Sequence, residues 1–236
     1  MKVLTIGFLL TMLVSTAQAQ NSYIGQHKYD GEHKNEFSGY LMGGYNVIVD
    51  TYGGLEASYK RHLTDRWHLG ADAQAQFVKQ LYSVDVQGGY RLPVSWMDFY
   101  LDGKLLYNRY QQWGANEMIV NLAVTWETPY VYLRVGESYI HYHILDFGYT
   151  EPLTLTFGFG ASIRPRWNSW NLGLFFRNYD DFYYENWNIN WGLNFYMPLM
   201  KDVQLFSEFN IRPAGSMSQL ASKYETSGKV GIKYVW

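Results

Sequence analysis

From Leu153 to Arg164 the chain sorts its residues by parity. Leu153, Leu155, Phe157, Phe159, Ala161 and Ile163 alternate with Thr154, Thr156, Gly158, Gly160, Ser162 and Arg164. Asn188 to Pro198 does the same, setting Ile189, Trp191, Leu193, Phe195 and Met197 against Asn188, Asn190, Gly192, Asn194 and Tyr196. A helix repeats every 3.6 residues and cannot separate these sets, whereas a strand points successive side chains to opposite faces. The Gly-Phe-Gly at Gly158 to Gly160 is therefore part of the alternation and not a phosphate loop.

Segments of this kind recur to the end of the chain, separated by turn residues. Strands are expected near 37–47, 54–63, 68–79, 83–92, 97–110, 117–127, 130–142, 152–164, 171–180, 188–198, 203–213 and 225–236. If the first strand rises from the periplasm, short links such as Thr64-Asp65-Arg66, Pro93-Val94-Ser95, Thr128-Pro129 and Lys201-Asp202 fall on the periplasmic side. The opposite links, including 50–53, 143–151, 180–187 and 215–224, are longer. Short inner turns and long outer loops are the habit of bacterial transmembrane barrels. The expected fold is all-β, a transmembrane antiparallel up-and-down β-barrel of about 12 strands over residues 37–236.

Composition supports a membrane barrel. Apolar residues reach 47% and aromatics 19%, yet mean hydropathy is slightly negative at −0.27. A spanning helix needs about 20 consecutive apolar residues, whereas a spanning strand needs about 9–11 with one apolar face, so alternation hides the membrane face in a polar average. Net charge is −2 and pI about 6.3, which calls for no nucleic-acid partner. Cysteine is absent, which removes disulfides, thiol catalysis and lipoprotein anchoring.

The N-terminus carries Lys2, an apolar stretch from Val3 to Val14, and Ala17-Gln18-Ala19 before Gln20. This is the pattern of a cleaved secretory signal peptide over residues 1–19, its apolar run being too short to span a bilayer. Residues 20–36 read as a polar periplasmic tail.

The last segment carries the most specific signal. Gly228, Val230, Ile232, Tyr234 and Trp236 alternate with Ser227, Lys229, Gly231, Lys233 and Val235, and the chain stops on an aromatic. This resembles the C-terminal strand of bacterial outer-membrane β-barrel proteins, porin-like members included. The resemblance implies an outer-membrane location and recognition of Trp236 by the barrel-assembly machinery. Most members end in Phe, so Trp236 departs from the commonest pattern. The Tyr- and Trp-rich composition and Gln20 also resemble Bacteroidetes members. Aromatics fall where strand ends meet headgroups: Trp67, Trp96, Trp126, Trp170 and Trp236 below, and Tyr107, Tyr110, Tyr139, Tyr142, Tyr179 and Tyr224 above. A soluble β-sandwich would not need signal peptide, girdles and terminal aromatic together.

With parity fixed, the inward residues can be read. From the second to the sixth strand Glu56, Asp72, Asp85, Asp98, Asp102 and Glu127 stand against Lys60, Arg91 and Lys104, an acidic wall. From the seventh to the twelfth Arg134, Arg164, Arg177, Arg212, Lys229 and Lys233 stand against Glu208 alone, a basic wall. Hairpin register places Arg91 opposite Asp98, Lys104 opposite Asp85, and Glu208 diagonally between Lys229 and Lys233. Inward glycines at 44, 70, 89, 136, 158, 160, 173, 192 and 231 leave either free space or holes for Tyr100, Tyr196 or Phe206. Interior positions such as Asn194 and Thr156 are expected to tolerate charge.

Chemistry is weakly signalled. His141 and His143, beside Glu137 and Ser138, share one face of a strand and could hold a metal or a Ser-His dyad, but amphipathic girdle residues are the plainer account. Asp180 and Asp181, with Tyr183, Tyr184, Glu185 and Trp187, suit a loop capping the mouth, and could grip a sugar or divalent cation. Lys60, Arg61, His62 and Arg66 read as a solvated basic rim. No cofactor is expected. The leading function is a narrow porin-like channel for small polar solutes; the alternatives are a closed accessory barrel in an outer-membrane complex and a rim enzyme. Deleting Trp236 should reduce the heat-modifiable form recovered in the outer-membrane fraction, a loss read by electrophoresis of heated and unheated samples.

Overall fold

The computed structural model describes residues 34–46, 50–94, 97–128, 130–144, 147–163, 170–179, 189–213 and 224–236. The signal-peptide segment, most of the polar tail, Trp96, Arg164 and the aromatic loop from Asp180 to Trp187 lie outside them.

Twelve strands follow in chain order: β1 (Asn35–Asn46), β2 (Asp50–His62), β3 (Trp67–Gln76), β4 (Leu81–Val94), β5 (Met97–Tyr110), β6 (Ala115–Glu127), β7 (Val131–Ile144), β8 (Phe147–Ile163), β9 (Asn171–Arg177), β10 (Asn190–Met200), β11 (Val203–Pro213) and β12 (Tyr224–Val235). Each pairs antiparallel with its sequence neighbours, and β1 pairs with β12 from Glu36↔Val235 to Asn46↔Glu225, closing the barrel. The seam is finished at the end where β1 starts and β12 stops: Lys34 N and Asn35 N both donate to Trp236 O, at 3.0 and 2.9 Å, and Trp236 N donates to Asn35 O at 3.0 Å.

Strand ends differ from expectation where loops turn out to be ladder. β1 begins at Asn35, two residues before the expected boundary, and β2 takes in Asp50 to Gly53. The expected outer loop at 143–151 is largely hairpin, since β7 runs to Ile144 and β8 starts at Phe147. That hairpin carries a bulge: Ser138 faces Thr154 and Ile140 faces Glu151, so Pro152 and Leu153 together oppose Tyr139. Proline lacks the ladder N–H and is tolerated at such a place. A second irregularity adjoins Pro198 in β10.

Inner turns are closed by side-chain caps. Thr64 Oγ1 accepts from Arg66 N and Trp67 N, and Thr128 Oγ1 accepts from Tyr130 N and Val131 N. These hydroxyls satisfy amides that a sharp turn would otherwise orphan.

The outer face is the apolar parity class. Leu41, Leu55, Leu69, Val84, Val86, Leu101, Leu105, Leu122, Val124, Leu133, Leu155, Leu174, Leu193, Val230 and Ile232 are all exposed, while their even or odd partners turn inward. A closed ladder leaves no backbone group unpaired in hydrocarbon, so a barrel with this surface spans a membrane. Trp67, Trp236, Tyr107 and Tyr139 are exposed outward at the strand ends as girdles require. The upper girdle is otherwise corrected: Tyr110 is buried on the inward side, and Tyr142 and Tyr179 pack against the interior cluster.

Leu193→Arg in the apolar stripe of β10 should cost about 2–4 kcal/mol, and Leu63→Arg in an inner turn about 0–1 kcal/mol. Equilibrium unfolding from lipid vesicles would read both.

Candidate functional site: the charged interior

Parity places Glu56, Asp72, Asp85, Asp98, Asp102 and Glu127 on the interior of β2 to β6, each buried or half-buried. Arg134, Arg177, Arg212, Lys229 and Lys233 occupy the interior of β7, β9, β11 and β12. The basic wall has a second carboxylate besides Glu208, because Glu225 is buried inside the start of β12. Glu117 is buried inside β6 in the same way. Continuing the alternation to the first residues of each strand would have found both. Glu36 lies just before the expected first strand, and Lys79, the last residue of the expected strand 68–79 and on its outward parity, instead lies beyond the end of β3 at Gln76 and reaches in from the β3–β4 turn.

Opposite charges meet throughout. Arg91 pairs with Asp98 at 2.9 Å, and Lys104 with Asp85 at 3.1 Å and Asp72 at 3.7 Å. The register that makes them is two residues away from the expected one: Arg91 faces Tyr100 and Lys104 faces Gln87, so both pairs are diagonal. Glu208 lies directly opposite Lys229, and Lys233 opposite Gln204. Long side chains then reach past their nearest neighbours. Lys229 Nζ lies 3.0 Å from Glu56 across β1, Arg177 lies 2.9 Å from Glu208 across β10, and Lys233 pairs with Glu36. The two walls are thus stitched to each other at the β12–β1–β2 seam.

Small inward residues make that reach possible. A methyl group added at Gly44, Gly89, Gly136, Gly158, Gly160, Gly173, Gly192 or Gly231 would overlap atoms already there. The fillers are mainly Tyr52, His68 with Asp102, Tyr179, Tyr132, Asn194, Phe175 and Tyr40. Glycine holes are filled, as one of the two readings allowed, though by other residues than Tyr100, Tyr196 and Phe206. Those three are nonetheless buried in the interior, with Tyr196 and Phe206 in contact at 4.7 Å between ring centroids.

The interior is close to dry in several places. Asn121, Thr154 and Thr156 have no accessible surface. Asn121 Nδ2 donates to Ser138 Oγ at 2.8 Å and Thr156 Oγ1 at 3.2 Å, while Arg134 donates to Asn121 Oδ1 at 2.6 Å. Thr156 therefore has no room for arginine, against the expectation of tolerance. Toward the outside, Leu81, Leu106, Tyr110, Ala115, Ile119 and Ile140 form an apolar cluster inside the barrel, covered by Trp113, Tyr142 and Tyr179. Opposite it, Lys79 Nζ lies 2.9 Å from Glu225 Oε1, which also accepts from Tyr52, and Arg212 donates to Asn190 at 2.8 Å. Burial pushes the Lys79 ammonium below its usual range, against the pull of Glu225. Among the described residues, the paired charges Arg91, Lys233 and Asp98 keep water contact, at 20%, 18% and 17% of side-chain surface.

The other sequence candidates separate. Ser138 is buried inside while His141 and His143 lie on the opposite face of β7, so no Ser-His dyad forms; His141 Nδ1 sits 2.9 Å from Thr150 Oγ1. No cluster able to hold a metal occurs among the described residues. The basic rim is also divided: Lys60 and His62 are buried inward, Arg61 and Arg66 exposed. His62 lies 3.0 Å from Glu36, and His68 3.8 Å from Asp102.

Gly89→Ala should lower stability by about 1–3 kcal/mol, because the methyl group meets His68 and Asp102. Gly53→Ala, whose nearest atom would be 3.8 Å away, should be close to neutral in the same thermal-unfolding measurement.

Neither a protein-family model nor a curated protein sequence matches the chain. Solved structures do match in fold. The KdgM porin in complex with disordered oligogalacturonate is 10% identical with a TM-score of 0.56, covering 84% of this chain and 99% of that one. The NanC porin is 12% identical with a TM-score of 0.53, covering 83% and 98%. The outer-membrane phospholipase A of Escherichia coli is 11% identical with a TM-score of 0.52, covering 94% and 96%. The fold is that of a bacterial outer-membrane β-barrel, porins among its likenesses, which with the apolar outer band indicates an outer-membrane location.

Proposed function

We propose that the chain is exported by its N-terminal signal segment, assembled through Trp236, and serves as a narrow porin-like passage for small polar solutes. The observation that carries this reading is the lopsided charge of the interior. Carboxylates predominate on β1 to β6 and cations on β7 to β12, so a transverse field crosses whatever water the interior holds. A barrel of this strand number has a backbone diameter of roughly 24 Å, and the side chains described above fill much of it. Large solutes are thereby excluded. The partly wet groups, Arg91, Asp98 and Lys233 with Asp102, Lys104 and Arg177, are the lining a small solute would meet. The bound saccharide of the KdgM porin structure supports polar and charged solutes as the class to try first.

A closed accessory barrel is the second reading, favoured by the buried ion pairs and the interior apolar cluster. Catalysis has less support, since Ser138 and the histidines face opposite ways.

Single-channel recording in planar bilayers distinguishes the two. For a passage, neutralising Arg177 and Arg212 shifts selectivity toward cations and neutralising Asp85 and Asp102 shifts it toward anions. Both shifts shrink in concentrated salt, as the Debye length falls from about 10 Å at 0.1 M to about 3 Å at 1 M. For a closed barrel the wild type carries no current, and the same changes lower thermal stability by stranding buried charge.

A further inference from the structure

We propose that the passage narrows to a gate at the mouth opposite the chain termini, made by Lys79 of the β3–β4 turn and Glu225 of β12; the inference rests on the passage reading above. At this mouth the inward residues form a dry collar. Leu81, Tyr110 and Ala115 stand opposite one another along β4, β5 and β6, and Glu225 stands opposite Arg212 on β11, each no more than 4% exposed. Lys79 and Tyr52 continue the collar at 6%. Toward the other end Arg91, Asp98 and Lys233 keep water contact. A solute crossing the barrel has to part the residues of this collar.

The two sides of the collar differ in what opening costs. On the apolar side Leu81, Leu106 and Ile119 pack in one cluster on ladder strands, so displacing any of them leaves a cavity that nothing refills. On the polar side Arg212 is fixed too, since it belongs to β11 and its Nε donates to Asn190 Oδ1 at 2.8 Å. Lys79 is held least. It lies outside the ladder, in a turn whose backbone is pinned by Phe77 N donating to Gly53 O at 3.1 Å and Gln111 N donating to Gln80 O at 3.0 Å. Of the three N–H groups of its ammonium, one is engaged among the described residues, on Glu225 Oε1 at 2.9 Å, with the Tyr52 ring 3.8 Å away. Tyr52 lies in the hollow of Gly44 and donates to Glu225, which makes it a fixed floor under the lysine stem. The moving part is thus one side chain on a held backbone. For a buried ion pair, regained hydration offsets much of the lost attraction, so the clasped and swung-out positions of Lys79 lie close in free energy. Water reaching Glu225 then opens a polar path past Tyr52 and Arg212, while the apolar side stays shut.

Because the chain has no cysteine, a thiol at position 79 can be given either charge after assembly. In planar bilayers Lys79→Cys should raise the single-channel conductance of the intact barrel about two- to five-fold, the population shift that follows from losing one net hydrogen bond. Coupling 2-aminoethyl methanethiosulfonate to that thiol restores an ammonium on a stem of similar length and should bring the current back toward the wild type. Coupling 2-sulfonatoethyl methanethiosulfonate sets an anion beside Glu225 and should leave the current high, with the reversal potential moved toward cation selectivity. In a Glu225→Gln background the aminoethyl reagent should no longer lower the current. Heat-modifiability of each variant checks assembly, and if Lys79→Cys fails to assemble, Glu225→Gln alone decides, with the same rise expected. Unchanged conductance over a conducting wild type, or an equal response to the two reagents, overturns the gate and leaves the passage reading standing. No current from the wild type or from either variant overturns both. Current in the variants over a silent wild type upholds the gate and overturns a standing passage in the wild type.

Discussion

Closure of the hydrogen-bond ladder is the constraint on which everything else rests. In hydrocarbon an unpaired amide or carbonyl costs several kcal/mol, so a sheet can enter a bilayer only with no edge. Here the first and last strands meet over their whole lengths, and the terminal carbonyl of Trp236 takes two amides from Lys34 and Asn35. The final residue is thus both the proposed assembly signal and a structural part of the seam, and the ion pair of Lys229 with Glu56 spans that seam from the inside.

Once the ladder is closed, the interior becomes a space of fixed width that side chains must fill or leave to water. Glycine is what lets long residues lie over neighbouring strands instead of colliding with them. The hole at Gly89 lets His68 approach Asp102 across β4, and that at Gly231 receives Tyr40. Charge pairing follows from this reach more than from register, which explains why Arg91 and Asp98 pair although they are not directly opposite.

Fold class, strand count, faces and most boundaries were legible in the residues because a period of two leaves little choice of side. β5 and β11 were read with both ends right. Interior chemistry was legible as a set but not as partnerships. Lys229 was read against Glu208, its direct neighbour, whereas its reach is to Glu56 on a strand remote in sequence, visible only once the barrel closes. The inward turn of Tyr110 was already written in its parity, which it shares with Asp98, Asp102 and Lys104, and the girdle reading overrode it; the Lys79 clasp escaped because the residue sits in a turn, where packing against other strands decides and periodicity does not record it.

The bulge at Pro152 and Leu153 gives β8 two frames of alternation in one strand. Below it, odd-numbered residues such as Leu155 and Phe159 look outward; above it, Thr150 shares the outward side with His141. A single inserted residue has thus shifted the parity of the upper part of β8, while β7 keeps its odd-numbered residues outward throughout. The top of β8 is in this sense decoupled from the frame of alternation that the bilayer imposes on the rest of the strand, and its sequence can change without moving the apolar stripe below.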